Sequence, residues 1–155
     1  MDHAPDIEWR AFQADTMLLL QRVHQKIVRR TVMAIEDESI GRITPARANA
    51  LMVLFQAKRP INARELSNQL GISEVTVSRL IRKMEEDGWV ERTPDPNDAR
   101  ALLLRPTAQA REHLQPLIRV ANTVMDDCFG GFGRDEMAML QSWIQRVQEN
   151  LSKDG

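Results

Sequence analysis

The sequence predicts a mainly α (α+β) fold, with six helices and a small β-hairpin between the fourth and fifth. Three observations carry this. Apolar residues recur at helical spacing through both ends of the chain. Between Glu65 and Arg105 two short helical patterns flank a glycine turn. Two extended runs then flank a turn built of Pro, Asp and Asn. That order is a helix-turn-helix followed by a β-wing.

Each element has its own signal. From Ile7 to about Ile35, Phe12, Leu19, Val23, Ile27 and Met33 form a helical stripe, and Leu18 and Leu20 widen it. A helix apolar over more than one face needs more than one neighbour to cover it. Glu36 to Ile43 reads as a polar loop with Gly41. Thr44 and Pro45 then read as an N-cap and a first-turn proline. The second helix runs through Leu51, Met52, Leu54 and Phe55 and stops before Pro60. Ile61-Asn62 fits a very short strand. Asn62 also suits the N-cap of a third helix, whose Leu66 and Leu70 face inward. Gly71 supplies the positive φ that a helix exit often demands. Ser73 caps the fourth helix, which Gly88 ends. Val90 and Arg92 belong to a strand, Pro94 to Asp98 to a turn, and Ala101 to Arg105 to a return strand. Thr107 caps a helix expected to run to about Cys128. Gly130, Gly131 and Gly133 interrupt the chain, and a last helix spans Arg134 to Leu151.

On a helical wheel at about 100° per residue, Val77, Leu80, Ile81 and Met84 share the inward face of the fourth helix. The opposite face presents Val75, Ser78, Arg79 and Arg82, with Thr76 and Lys83 at its margin. Arginines in such a place can donate two hydrogen bonds to a guanine edge or pair with phosphate. Val75 suits a thymine methyl, and Ser73, Thr76 and Ser78 are short donors suited to phosphate. In the wing, Asp98 and Arg100 are two residues apart, so in an extended segment Asp98 is placed to hold the Arg100 guanidinium. An Arg at a loop tip suits a narrow, electronegative minor groove of double-stranded DNA.

The 155 residues suit a single domain, 1–155, with its own core. Net charge is −1, so the chain is not a purely electrostatic nucleic-acid binder, and its charges must be sorted by face. The N-terminus lacks a basic and then apolar secretory pattern, and no apolar run is long enough to span a bilayer. The expected location is cytoplasmic. The single cysteine, Cys128, excludes an internal disulfide. Phosphate loops, metal motifs and nucleophile elbows do not appear, so neither an enzyme nor a bound cofactor is expected.

The segments Ile43 to Phe55 (ITPARANALMVLF), Ala63 to Arg92 (ARELSNQLGISEVTVSRLIRKMEEDGWVER) and Asp95 to Thr107 (DPNDARALLLRPT) resemble the MarR (multiple antibiotic resistance regulator) family of winged-helix repressors. The resemblance extends over about Ile7 to Leu151. It implies a homodimer whose N- and C-terminal helices, 7–36 and 107–152, interlock, with a winged helix-turn-helix DNA-binding lobe at 44–105. Two such lobes would bind successive major grooves of a pseudo-palindrome, and a small ligand, oxidation or a metal would relieve the regulation. Ser73 to Lys83 matches the recognition helix, and Asp98 and Arg100 match the wing aspartate and minor-groove arginine. Two departures stand out. Ala99 replaces a frequent first arginine after the wing aspartate. Pro106-Thr107 and Ala110 stand where Leu-Thr and then Gly are frequent. Both point to a weaker wing contact or an altered wing exit.

The resemblance further implies an aromatic or phenolic effector held between the dimer helices and the DNA lobe. Trp9, Phe12, Met17, Arg22, Met52 and Phe55 are the candidates for such a cleft, with plain core as the alternative for each. Cys128, beside Asp126 and Asp127, reads as a small buried residue rather than a redox sensor. His3, His24 and His113 show no metal-ligand spacing, although His113 with Glu112 is the place to look for zinc. A protein-binding winged-helix adaptor is the competing reading; the basic pair Arg79 and Arg82, with Arg100, favours DNA.

Overall fold

The computed structural model describes residues 6–152, and at Ala99 the backbone alone. The chain forms two compact units that divide between Val124 and Met125.

In the first unit, helix α1 (Ile7–Asp37) starts at Asp6, whose carboxylate accepts from the Trp9 backbone N–H at 3.1 Å. It runs two residues beyond the expected end. Only Ala34 and Ile35, near that end, are buried. Helix α2 (Pro45–Gln56) has the expected Thr44 cap and first-turn proline. Strand β1 (Ile61–Asn62) leads directly into α3 (Ala63–Leu70) through a capping box between Asn62 and Glu65. Gly71 follows at φ +66°, with open space where a Cβ would lie, so backbone conformation alone calls for glycine there. Helix α4 (Glu74–Glu86) is capped by Ser73. It ends in a Schellman motif, in which the Trp89 N–H bonds the Met84 carbonyl at 2.8 Å and the Gly88 N–H bonds that of Glu85 at 3.0 Å.

The wing is β2 (Val90–Asp95) and β3 (Asp98–Pro106), and β1 pairs with the far side of β3 to give the sheet order β1-β3-β2. The expected hairpin is therefore one part of a three-stranded antiparallel sheet, and its strands run further into the turn than predicted. The register pairs Val90 with Pro106 and Arg92 with Leu104, then jumps from Pro94–Leu102 to Asp95–Asp98. The extra β3 residues at that jump include Arg100.

The predicted single helix from Thr107 is broken. Helix α5 (Ala108–Glu112) stops at His113, and α6 (Leu114–Phe129) starts afresh. Pro116 explains the break: it has no N–H to continue the ladder, and its ring would meet the Glu112 carbonyl in an unbroken helix. Thr107 joins this region to α4. Its hydroxyl donates to the Gly88 carbonyl at 2.6 Å and accepts from the Ala110 N–H at 3.2 Å.

The core of this unit sits under α4. Leu51, Leu66, Val77, Met84, Leu104 and Leu117 are almost fully buried, drawn from α2, α3, α4, β3 and α6. The inward face assigned to α4 is correct: Val77, Ile81 and Met84 are buried and Leu80 packs against them.

The second unit holds the end of α6 and helix α7 (Arg134–Ser152). Phe129 and Phe132 meet edge to face at 6.4 Å across the glycine turn, where Gly131 takes φ +87°. The Glu136 carboxylate accepts from the Gly133 N–H at 2.7 Å and closes the start of α7. No described residue of α7 is buried. A concave apolar surface of about 730 Å³ on this unit is lined by Phe129, Phe132, Met137, Leu140 and Ile144, among others.

Candidate nucleic-acid interface

The interface is built outward from α4. Because Val77, Ile81 and Met84 anchor one side, the other side must face solvent. Val75 is 63% exposed on that side. Ser73, Thr76, Ser78, Arg79, Arg82 and Lys83 are also exposed. The Ser73 hydroxyl accepts from the Thr76 N–H at 3.2 Å and lies 2.9 Å from the Thr76 hydroxyl, so both side chains are held at the N-terminal end of α4.

The cations differ in how far they are committed. Among the described residues, neither Arg79 nor Arg82 has an ion pair or a side-chain hydrogen bond. Lys83 is drawn along its own helix, to Glu86 at 3.1 Å and Asp87 at 3.6 Å. The hydrogen bond to Glu86, and then the nearby Asp87 charge, raise its pKa. Arg92 is paired with Glu85 at 2.6 Å, and Arg64 lies 3.6 Å from Glu74. A concave strip of about 350 Å³ between α4 and the wing is lined by Ser78, Arg92 and Arg100, among others.

At the wing tip the expected Asp98–Arg100 contact takes a different form. The Asp98 carboxylate accepts from the Arg100 backbone N–H at 2.9 Å, so it fixes the tip backbone rather than holding the guanidinium. Asp95 does the same for the Asn97 N–H at 2.8 Å. Side-chain to backbone bonds of this kind are the usual chemistry of Asp in tight turns. Arg100 is exposed beside the register jump, and such irregularities re-aim the side chains they carry.

The first turn of α3 is locked by a second group of charges. Glu65 accepts from the Asn62 N–H at 3.0 Å and pairs with Arg59. The Arg59 guanidinium, then the Asn62 backbone N–H, hold the Glu65 carboxyl below its usual pKa, and Glu65 raises that of Arg59.

Two further ion pairs were not anticipated from the sequence. Arg47 on α2 meets Asp87 at the end of α4 at 2.7 Å, and Arg119 on α6 meets Glu38 at the end of α1 at 2.8 Å. The first had a readable signal. Arg47 is the only charged residue in α2, and an arginine alone in an apolar helix needs a partner.

The six effector candidates are not gathered by one chain. Trp9, Phe12 and Met17 are more than half exposed, with Trp9 and Phe12 stacked at 6.0 Å. Met52 and Phe55 pack against the lobe core, as do Ala34 and Ile35 of α1. At about 1.5 Å per residue, Met17 lies roughly 27 Å along the α1 axis from Ile35, and Arg22 roughly 20 Å. Cys128 is a half-buried free thiol, and His3 falls outside the described residues. Among the described residues no group of three or more His, Cys, Asp or Glu is placed to hold a metal ion, and no helix is long and apolar enough to cross a membrane.

An outward-facing helix seated on α2 and α3, flanked by a two-stranded wing, defines a winged helix-turn-helix protein. The model of the MarR family matches residues 43–102, most of this lobe, so over that stretch the chain is similar to that family. Its relatives include the HTH-type transcriptional regulator YcgE of Bacillus subtilis (strain 168), 27% identical over 96 residues, or 61% of this chain and 62% of YcgE. The chain thus spans less than two thirds of that relative's own length. The regulator YdgJ of the same organism is 24% identical over 140 residues, covering 90% of this chain and 81% of YdgJ. Among solved structures, a cysteine-to-serine mutant of MarR from E. coli complexed with operator DNA is similar with a TM-score of 0.71 and 26% identity. That likeness covers 83% of this chain and 90% of that one.

Proposed function

We propose that this chain is a homodimeric, sequence-specific DNA-binding repressor, released from its operator by a small aromatic or phenolic ligand, and not an enzyme. The observation that carries the reading is the pair Arg79 and Arg82 on the outward face of α4, without an ion pair among the described residues, with Arg100 exposed at the wing tip. Arg79 and Arg82 read base edges in the major groove. Ser73, Thr76, Ser78 and Lys83 contact phosphate, Val75 meets a thymine methyl, and Arg100 enters the minor groove. The E. coli structure at 26% identity, solved with operator DNA, supports this use of the lobe.

Dimerisation is proposed from the surface the chain leaves uncovered. On α1, Ile7, Trp9, Phe12, Met17, Leu18, Leu19, Leu20, Val23, Val28, Val32 and Met33 are all more than a third exposed. At roughly 100 Å² each they present about 1,000 Å² of largely apolar surface, comparable to one side of a stable protein interface. A second copy related by a two-fold axis is the simplest cover. Residues 7–36 and 107–152 thus serve as dimerisation helices of one domain, and 44–105 as the reading lobe. A repressor of this design acts by occupying promoter DNA. The effector cleft, if built from Trp9, Phe12, Met17 and Arg22 together with Met52 and Phe55, requires α1 of one protomer beside α2 of its partner.

Selection of genomic fragments retained by the full chain, followed by a screen of aromatic acids and phenols for release, tests the reading. One or a few enriched fragments sharing an inverted repeat are expected. Uniform, salt-sensitive retention of all fragments, or none, contradicts sequence-specific binding. Retention unaffected by every compound contradicts the effector class.

A further inference from the structure

Asp87 is the C-cap of α4, a position where a carboxylate opposes the helix dipole and costs local stability. Its presence there calls for a tertiary partner, and Arg47 is that partner. The Arg47 Nη1 lies 2.7 Å from Asp87 Oδ2 and also donates to the Arg42 carbonyl at 3.2 Å. Only 12% of the Arg47 side chain is exposed. One guanidinium therefore joins three segments: the loop after α1, the first turn of α2 and the last turn of α4. A second ion pair, Glu85 with Arg92, ties that same end of α4 to β2. Lys83 competes for Asp87 from the solvent side at 3.6 Å.

We propose that Arg47 is a positioning residue for DNA reading: through Asp87 it fixes the C-terminal end of α4 and so sets the angle at which Arg79 and Arg82 meet the bases. The inference rests on the DNA-reading function proposed above. The mechanical reason is length. Helix α4 has 13 residues and is about 20 Å long, so a small tilt at its C-terminal end displaces both arginines on its middle turns. Paired hydrogen bonds from a guanidinium to a guanine edge tolerate a few tenths of an ångström, whereas a phosphate contact tolerates far more. Loss of the tie therefore removes discrimination between sequences before it removes attachment to DNA.

The test uses the full chain and four proteins: wild type, Arg47→Gln, Arg47→Lys and the reversed pair Arg47→Asp with Asp87→Arg. Each is titrated against a duplex that the wild type selects and against a scrambled duplex, over a range of salt. Arg47→Gln is expected to lose about tenfold in affinity for the selected duplex and less than twofold for the scrambled one. Its salt slope should be unchanged, because Arg47 touches no phosphate. Arg47→Lys, which keeps the charge, should recover at least half of the loss on a logarithmic scale. The reversed pair should discriminate better than Arg47→Gln, which a direct DNA contact by Arg47 would not allow. Equal losses on both duplexes, or a salt slope reduced by about 1 per protomer, would overturn the positioning role. If Arg47→Gln fails to fold, Arg47→Lys and the reversed pair decide alone, and selected-to-scrambled ratios for both below a tenth of wild type overturn it. Failure of the wild type to prefer any duplex is a separate result, and it removes the proposed function itself.

Discussion

Replacing Arg79 or Arg82 with alanine tests the proposed reading face of α4 without removing a contact that packs the lobe. Both guanidinium groups project from the exposed side of α4, and among the described residues neither is engaged by an acidic partner. Truncation therefore removes nothing that holds the lobe together, and the stability change should stay within about 0.5 kcal/mol. An arginine that makes two hydrogen bonds to a guanine contributes about 1–3 kcal/mol of specific binding. The proposed symmetric dimer would carry each substitution twice, so the expected loss is about 2–6 kcal/mol, or roughly 30-fold to 10⁴-fold in operator affinity. The assay is fluorescence anisotropy of a labelled operator duplex, repeated at several salt concentrations. A base-reading arginine changes affinity with little change in salt slope, whereas a phosphate contact lowers the slope by about 1 per protomer. Lys83→Ala is the internal control. Its ammonium is already drawn to Glu86 and Asp87, so its loss should be smaller and mostly electrostatic. If Arg79→Ala and Arg82→Ala both bind operator within twofold of wild type, the outer face of α4 is not the reading surface.

Three other perturbations probe the supporting structure. Thr107→Val removes a hydroxyl that caps α5 and donates to the Gly88 carbonyl, and urea unfolding at fixed protein concentration should show a loss of about 2–3 kcal/mol. Thr107→Ser should stay within about 1 kcal/mol, and equal losses in the two variants would contradict the hydroxyl's role. The Glu65 carboxyl is held low by Arg59 and the Asn62 N–H, so its contribution is fully present above the ordinary glutamate pKa of about 4.3 and fades as pH falls through its lowered folded value. Stability of Glu65→Gln relative to wild type should therefore improve below about pH 4, and parallel pH curves would refute the linkage. Arg100→Ala should weaken binding while leaving the preferred major-groove sequence unchanged; an altered sequence preference would show that Arg100 reads bases instead.

Most of the fold was legible because the local signals agree with one another. The caps at Thr44, Asn62, Ser73 and Thr107, the glycines at 71 and 88, and the inward stripe of α4 are each satisfied in the structure. The outward side of α4 followed from the same wheel. What stayed hidden depended on partners distant in sequence. Strand β1 was readable as the extended pair Ile61-Asn62, but its antiparallel pairing with the edge of β3 was not. The break at His113 was readable from Pro116, but the continuous apolar pattern around it favoured one long helix. Asp98 lies at the right spacing to reach a guanidinium, yet the nearer backbone N–H of Arg100 claims it. The effector candidates were grouped by residue type, and the length of α1 separates them within one chain. The Arg47–Asp87 tie joins residues forty positions apart, which no local pattern can pair.

The central claim is that this chain reads DNA with two α4 helices placed by a dimer. Hydroxyl-radical footprinting of a selected duplex, with protein-to-DNA stoichiometry measured on the same complex, tests it most directly. The expected result is two protein chains per duplex and two protected backbone patches about one helical turn apart, with flanking minor-groove protection that Arg100→Ala abolishes. A single patch bound by one chain, or uniform protection without a repeat, would contradict it.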